Sequence, residues 1–254
     1  MLAVTLTGGP TALLELGGLR LLVDPTFDPP GDYPLGGGRV LTKTAPAALT
    51  AADVGPVDAV LLSHDQHPDN LDTSGRGLLA DVPTVLSTPE AATRIQGVTG
   101  LEPWQEHRVT RPDGGELVVV AVPARHGPAG CESYTGTVTG FALSGDGLPR
   151  VYVSGDNAAV SLVAEIVERL GGVDVAVLHL GAARTAVADA DLTLGAEAAV
   201  EAARLLDPAV VVPVHADGWA HFSQGLDQVS AAFDASGLGP RLRVPTPGEP
   251  LSLP

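Results

Sequence analysis

The chain opens as three short apolar runs cut by turn residues. Leu2–Thr7, Thr11–Leu16 and Leu19–Val23 are separated by Gly8-Gly9-Pro10 and Gly17-Gly18. Runs of that length between glycine and proline predict strands joined by tight turns. Asp24-Pro25 ends the third. From Pro25 to Ala48 the chain is rich in proline and glycine and carries Phe27, Tyr33 and Leu35. That composition predicts a long loop of the kind that covers or binds a ligand.

From Val57 the rhythm changes to strands alternating with helices. Val57–Leu62, Val82–Leu86 and Glu116–Val122 read as strands, Asp72 as the cap of a helix to about Ala80, and Pro89–Ile95 as a helix with proline in its first turn. Thr137–Leu143 and Arg150–Ser154 read as a pair turning at Gly145-Asp146-Gly147. Helices follow at Ala158–Leu170, Leu194–Leu206 and Leu226–Phe233, and strands at Val173–Leu178, Ala209–Val214 and, as a last edge, Leu242–Val244. Two β-rich halves, each with helices, predict an α/β fold in which two sheets pack together with helices outside. No linker divides the chain, so residues 1–254 are expected to form one domain.

Composition narrows the function. The 254 residues are 44 % hydrophobic with a formal net charge of −16, and the mean hydropathy of +0.23 argues against disorder. Lys43 is the only lysine. A nucleic-acid or anionic-membrane partner needs clustered cations, so neither is expected; the expected partner is a small molecule, with a homo-oligomer left open. Cys131 stands alone, which excludes an internal disulfide and a cysteine zinc knuckle. The N-terminal residues lack the basic region and apolar run of a signal peptide, and no stretch approaches the roughly 20 apolar residues of a membrane span. The expectation is a cytoplasmic protein, and the Ala-, Gly-, Pro- and Arg-rich composition fits a high-GC bacterial genome.

The chemistry gathers where apolar runs end. His64 to Asp69 follow Val57–Leu62, His126 follows Glu116–Val122, Asp156 follows Arg150–Ser154, and His215 follows Ala209–Val214. Strand ends of a layered α/β fold converge on one edge, where catalytic loops collect. Imidazole nitrogen and carboxylate oxygen together suit Zn²⁺, Mn²⁺ or Fe²⁺.

Ser63-His64-Asp65-Gln66-His67-Pro68-Asp69-Asn70-Leu71-Asp72 resembles a variant of the metallo-β-lactamase superfamily motif His-x-His-x-Asp-His. Arg125-His126-Gly127, Ser154-Gly155-Asp156 and Pro213-Val214-His215 resemble its later metal motifs in order and approximate spacing. Gly8–Pro25, with Leu21-Leu22-Val23-Asp24-Pro25, resembles the start of the branch containing ascorbate-6-phosphate lactonase. The resemblance implies a four-layer αββα sandwich of two mixed sheets with outer helices, and a metal-dependent hydrolase.

The match departs from the pattern at one place. Two residues separate His64 and His67, where the family has one. Aligning on Asp69 places His67 on the second histidine and Asn70 on the last; aligning on His64 places Gln66 there instead. The first alignment keeps more ligands. The resemblance then implies His64, His67 and His126 at one metal, and Asp69, the Asn70 position and His215 at another, with Asp156 between. An amide oxygen is a weaker donor than imidazole, so one tight metal, Zn or Mn, and a second that is weak or absent are expected. Asp69 would orient or deprotonate the attacking water, and Asp65 and Asp72 would fix imidazole tautomers.

The remaining candidates have plainer readings. His179 reads as a satisfied buried histidine, with support of the ligands as the alternative. His221 is either a substrate-facing proton donor or part of a packed aromatic loop. His107 reads as an exposed turn residue, Asn70 as a helix cap and Cys131 as an ordinary thiol. The functional expectation is cleavage of a small-molecule ester, lactone or phosphodiester on a His/Asp-bound metal. The alternatives are a non-catalytic or metal-free ligand-binding member of the fold, or a nuclease or RNA-processing hydrolase.

Overall fold

In a computed structural model, residues 1–186 and 188–253 are described. The opening runs form β1 (Leu2–Gly8), β2 (Thr11–Leu16) and β3 (Leu19–Val23). The segment expected to be a loop instead contains a hairpin, β4 (Gly31–Gly36) and β5 (Arg39–Lys43), with Tyr33 opposite Leu41. Then follow α1 (Ala51–Val54), β6 (Ala59–Leu61), α2 (Thr73–Leu78), β7 (Thr84–Ser87), α3 (Pro89–Arg94) and β8 (Val98–Gly100). The second half comprises β9 (Glu106–Thr110), β10 (Glu116–Pro123), α4 (Glu132–Thr135), β11 (Thr139–Ser144), β12 (Val151–Val153) and α5 (Val160–Leu170). It continues with β13 (Val175–His179), α6 (Ala196–Leu206), β14 (Val210–Val214), α7 (Leu226–Ala235) and β15 (Pro250–Leu253).

Two mixed sheets carry the fold, one of seven strands in the order β15-β1-β2-β3-β6-β7-β8 and one of six in the order β14-β13-β12-β11-β10-β9. Strand residues alternate between faces, and three apolar clusters show where each face goes. Leu14, Leu21 and Leu61 of the first sheet meet Val119, Phe141, Val177 and Val212 of the second in an apolar central layer. Leu13, Leu22 and Val60 face outward onto Val54, Leu79 and Ile95. Tyr152, Ala176, Leu178 and Val211 face outward onto Val163, Ala203 and Phe233 of the long helices. The result is the expected αββα sandwich. Among the described residues, no helix is long and apolar enough to cross a membrane.

Two edge predictions are corrected. Leu242–Val244 is not a strand; Leu242 makes only an isolated bridge to Val211, and the prolines at 245 and 247 remove the donors a strand would need. The last strand is β15, which pairs antiparallel with β1 from Leu2 to Thr5. His107 lies on edge strand β9 opposite Val119, not in a turn.

The topology positions the chemistry. β3 and β6 run parallel, as do β12, β13 and β14. Their C-terminal ends lie at one edge of the sandwich, and the chain leaves them at Asp24, Ser63-His64, Ser154-Gly155-Asp156, His179-Leu180 and His215.

Candidate metal centre

Among the described residues, two groups of potential ligands stand at that edge. His64, His67, His126 and Asp156 form one, and Asp69, His215 and His221 the other; within each group the ligand atoms all lie within 4.8 Å of one another. His64 Nε2 is 2.9 Å from His67 Nδ1, and His126 Nε2 is 3.5 Å from Asp156 Oδ2. Asp156 reaches the second group through Oδ1, 3.5 Å from His215 Nε2. Asp69 Oδ2 lies 3.4 Å from His215 Nε2 and 3.0 Å from His221 Nε2. The one-residue insertion leaves His67, not Gln66, beside His64 and His126.

Left-handed backbone aims His215 and turns the chain just before Asp156. His215 has φ 58°, a left-handed conformation that costs a non-glycine residue roughly 1–2 kcal/mol. Its N–H donates to Gly9 O at 2.7 Å and holds it there. Gly155 has φ 55°, and a Cβ there would stand 2.4 Å from Thr139 O, so only glycine lets the turn before Asp156 pack this closely.

Hydrogen bonds fix the ring tautomers. His126 Nδ1 donates to Leu192 O at 2.6 Å, and His215 Nδ1 donates to Leu180 O at 3.1 Å. A carbonyl only accepts, so in each neutral ring Nε2 carries the lone pair. That lone pair points at a carboxylate. Asp69 Oδ1 and Asp156 Oδ2 are buried without a hydrogen-bond partner among the described residues. Lone pairs facing lone pairs in a buried site repel unless a cation or a proton lies between them. Two donors bound tetrahedrally to one ion at about 2.0–2.1 Å would stand roughly 3.3 Å apart, close to the 2.9–3.5 Å of the pairs given above, and every ligand atom of a group lies within 4.8 Å of the others. The residues therefore fit a divalent cation.

The protonation states agree. Burial, with His67 next to it, holds His64 well below the usual imidazole range. Burial, with His126 next to it, lowers His67 to about 4. Both rings are neutral and free to ligate at neutral pH. Burial opposes the charge on Asp69 and Asp156, but hydrogen bonds from His215 and His221 to Asp69, and His215 and His126 beside Asp156, outweigh it and keep both carboxyls ionised. Burial likewise disfavours the His215 imidazolium, and Asp156 and Asp69 outweigh it, raising that ring to about 9. In the metal-free protein a proton on His215 balances charge that a metal would otherwise balance.

Three supporting assignments are corrected. Asp65 fixes no imidazole: Arg94 Nε donates to it at 2.9 Å, and Arg76 lies 3.6 Å away. Asp72 caps α2 through Gly75 N at 2.8 Å and accepts from Asp28 N. Asn70 is no helix cap, since Asp72 holds that place. It is fully buried, and its amide Nδ2 donates to Asp156 Oδ1 at 3.1 Å and Asp24 Oδ2 at 3.3 Å.

The residue most clearly missed is Asp24. Its carboxylate, buried with φ 38°, accepts from Ser63 N at 2.6 Å, Ser63 Oγ at 2.9 Å and His179 Nε2 at 3.0 Å, besides Asn70. It ties the ends of β3, β6 and β13 together beneath the ligands, and through it His179 serves as a satisfied buried histidine that also supports the site. In the sequence Asp24-Pro25 marks a strand end and the close of the opening resemblance, with no role for the carboxylate.

Above the ligands lies a cavity of about 290 Å³. Leu35, Val40 and Leu41 of the β4–β5 hairpin, with Tyr134 and Leu192, form apolar walls; His67, Asp69, His126 and His221 form its floor. Lys43 roots the hairpin. It is buried, lies 3.8 Å from Asp72 and stands 5.7 Å over the Trp219 ring.

A layered αββα sandwich with paired His/Asp groups at its strand ends defines the metallo-β-lactamase fold. Residues 19–216 match the beta-lactamase superfamily domain, and the chain belongs to that family. A metal-dependent hydrolase of Pyrococcus abyssi is 26 % identical over 247 residues, spanning 96 % of this chain and 97 % of the relative. One of Salinibacter ruber is 28 % identical over 246 residues, spanning 94 % and 95 %. Among solved structures, an isothiocyanate hydrolase from Delia radicum gut bacteria superposes with a TM-score of 0.81 at 20 % identity, over 98 % of both chains. A possible metal-dependent hydrolase from Veillonella parvula superposes with a TM-score of 0.83 at 18 % identity, over the whole of both chains.

Proposed function

We propose that this chain is a metal-dependent hydrolase that cleaves an ester, lactone or phosphodiester bond in a small molecule. The observation that carries this reading is the opening of two buried, cation-demanding ligand groups onto one apolar cavity. Relatives across nearly the full chain bear the name metal-dependent hydrolase, in keeping with it.

His64, His67, His126 and Asp156 would hold one divalent ion, zinc or manganese. Such an ion lowers the pKa of water toward neutrality and polarises a carbonyl or phosphoryl oxygen. Asp69 is ionised, and its Oδ1 has no partner among the described residues, so it can orient the attacking water and accept its proton. Leu35, Val40, Leu41 and Leu192 exclude solvent around the apolar body of the substrate. Near the site, Arg184 is tethered to Asp191 at 2.7 Å and would meet an anionic substituent at the cavity wall.

A cavity of about 290 Å³ lies at the small end of ligand sites, which run from roughly 300 to 1,000 Å³. With the net charge of −16, this favours a compact substrate over a nucleic acid. The test is a panel of p-nitrophenyl esters, simple lactones and bis-p-nitrophenyl phosphate. Chelator-stripped protein should lose turnover and regain it with Zn²⁺ or Mn²⁺, and His126→Ala should remain inactive. Full turnover by metal-free protein overturns the proposal.

A further inference from the structure

His221 lies outside every strand-end motif, in the loop after β14. Its Nε2 nevertheless stands 3.0 Å from Asp69 Oδ2, the oxygen that lies 3.4 Å from His215 Nε2. The loop is held from both sides. Thr44 N donates to Gly218 O, and Ala220 N to Thr42 O, which ties it to the edge of the hairpin. Arg184 N donates to His221 O, and Ser223 N to Gly181 O, which ties it to the segment after β13. Phe222 packs against both rings, its centroid 4.4 Å from His215 and 4.6 Å from His221. The placement of His221 is therefore built before any ligand arrives, as a metal site requires.

Asn70 is turned to other work. Its electropositive amide end donates to Asp156 and Asp24, so the group on its Asp156 side is a donor and not a lone pair. The side chain braces the two carboxylates, and the second group draws its other imidazole from His221. Meanwhile Asp69 Oδ1 remains buried beside these rings, with no partner among the described residues.

We infer that His221 is a metal ligand and that, with Asp69, His215 and the shared Asp156, it completes a second cation site. This rests on the metal dependence proposed above. The second ion binds more weakly than the first. His126 Nδ1 and His215 Nδ1 are each anchored on a carbonyl, whereas His221 Nδ1 is buried without a partner among the described residues, and ligand histidines depend on that second bond for orientation and basicity.

The test is calorimetric titration of chelator-stripped protein with Zn²⁺ and, separately, Mn²⁺, with metal content measured after dialysis. Wild type should take two equivalents, the first more tightly. His221→Ala should keep the first with unchanged affinity and bind the second about 100-fold more weakly or not at all. If His221→Ala fails to fold by circular dichroism, His221→Gln preserves bulk and is expected to give the same loss. Two equivalents of unchanged affinity in a folded His221 variant, or wild type saturating at one, overturns the inference while leaving the hydrolase reading intact. Wild type taking no metal removes both.

Discussion

Asp24→Asn replaces one oxygen of a fully buried hub by an amide nitrogen, and the structure fixes what that costs. Three donors converge on Oδ2: Ser63 Oγ, Asn70 Nδ2 and His179 Nε2; Ser63 N occupies Oδ1. The best orientation keeps the amide oxygen at the Oδ2 position, so the new NH₂ opposes Ser63 N–H. One charge-assisted bond is lost, a buried donor is left unpaired, and the other three donors face a neutral acceptor. A bond to a charged group contributes about 1.5–3 kcal/mol, and an unsatisfied buried donor costs about 1–3 kcal/mol, so the expected loss is about 3–5 kcal/mol. At about 2–4 °C per kcal/mol for a domain of this size, the melting temperature of metal-free protein should fall by roughly 6–20 °C. Because Ser63 carries His64 directly, affinity for the first metal should fall about 10–100-fold. Thermal denaturation and metal titration read the two effects. A melting temperature within 2 °C of wild type, together with unchanged metal affinity, would refute the role of Asp24 as the hub beneath the ligands.

Gly155→Ala adds a Cβ at φ 55° that would stand 2.4 Å from Thr139 O; a cost of at least about 2–3 kcal/mol is expected, read as a lower urea midpoint with partial loss of bound metal. In metal-free protein, His67 titrates near 4 when folded and near 6.5 when unfolded, so the unfolded chain binds more protons between those values and stability rises as pH climbs from 4 to 6.5. His215, at about 9 when folded, works in reverse: its contribution is complete below about 6.5 and is lost as pH rises through 9. A stability maximum near pH 6.5, with the alkaline decline removed by added Zn²⁺, is expected in a series of denaturant titrations; continued rise to pH 9 without metal would contradict it. Lys43→Met should loosen the β4–β5 hairpin, because the root cation near Asp72 and Trp219 is gone. Faster proteolysis confined to residues 31–43 checks this.

The sequence carried the layers and most of the candidate site, because both follow from local pattern. An apolar run ending in histidine or aspartate places that residue at the strand edge, and His64, His126, Asp156 and His215 all come to one edge for that reason. Gln66 and His67 could not be separated by spacing alone; the turn through Asp65, held by Arg94 and Arg76, puts His67 on the ligand side. His221 was legible only as an open question, since it follows a loop with no periodicity and meets Asp69 through bridges to β5 and to the segment after β13. Asp24 was hidden for the same reason: its partners come from residues 39, 46 and 155 positions away. The hairpin was missed because Pro34 and the run Gly36-Gly37-Gly38 read as breakers, and β15 because proline begins it.

Distant strand ends gather imidazoles and carboxylates into one candidate metal centre. Anomalous diffraction at the zinc edge, from crystals of chelator-stripped and reloaded protein, tests this most directly. The predicted result is a peak within about 2.0–2.2 Å of ligand atoms from His64, His67, His126 and Asp156, absent from the stripped crystals. Well-ordered side chains with no peak among them at saturating zinc would contradict it.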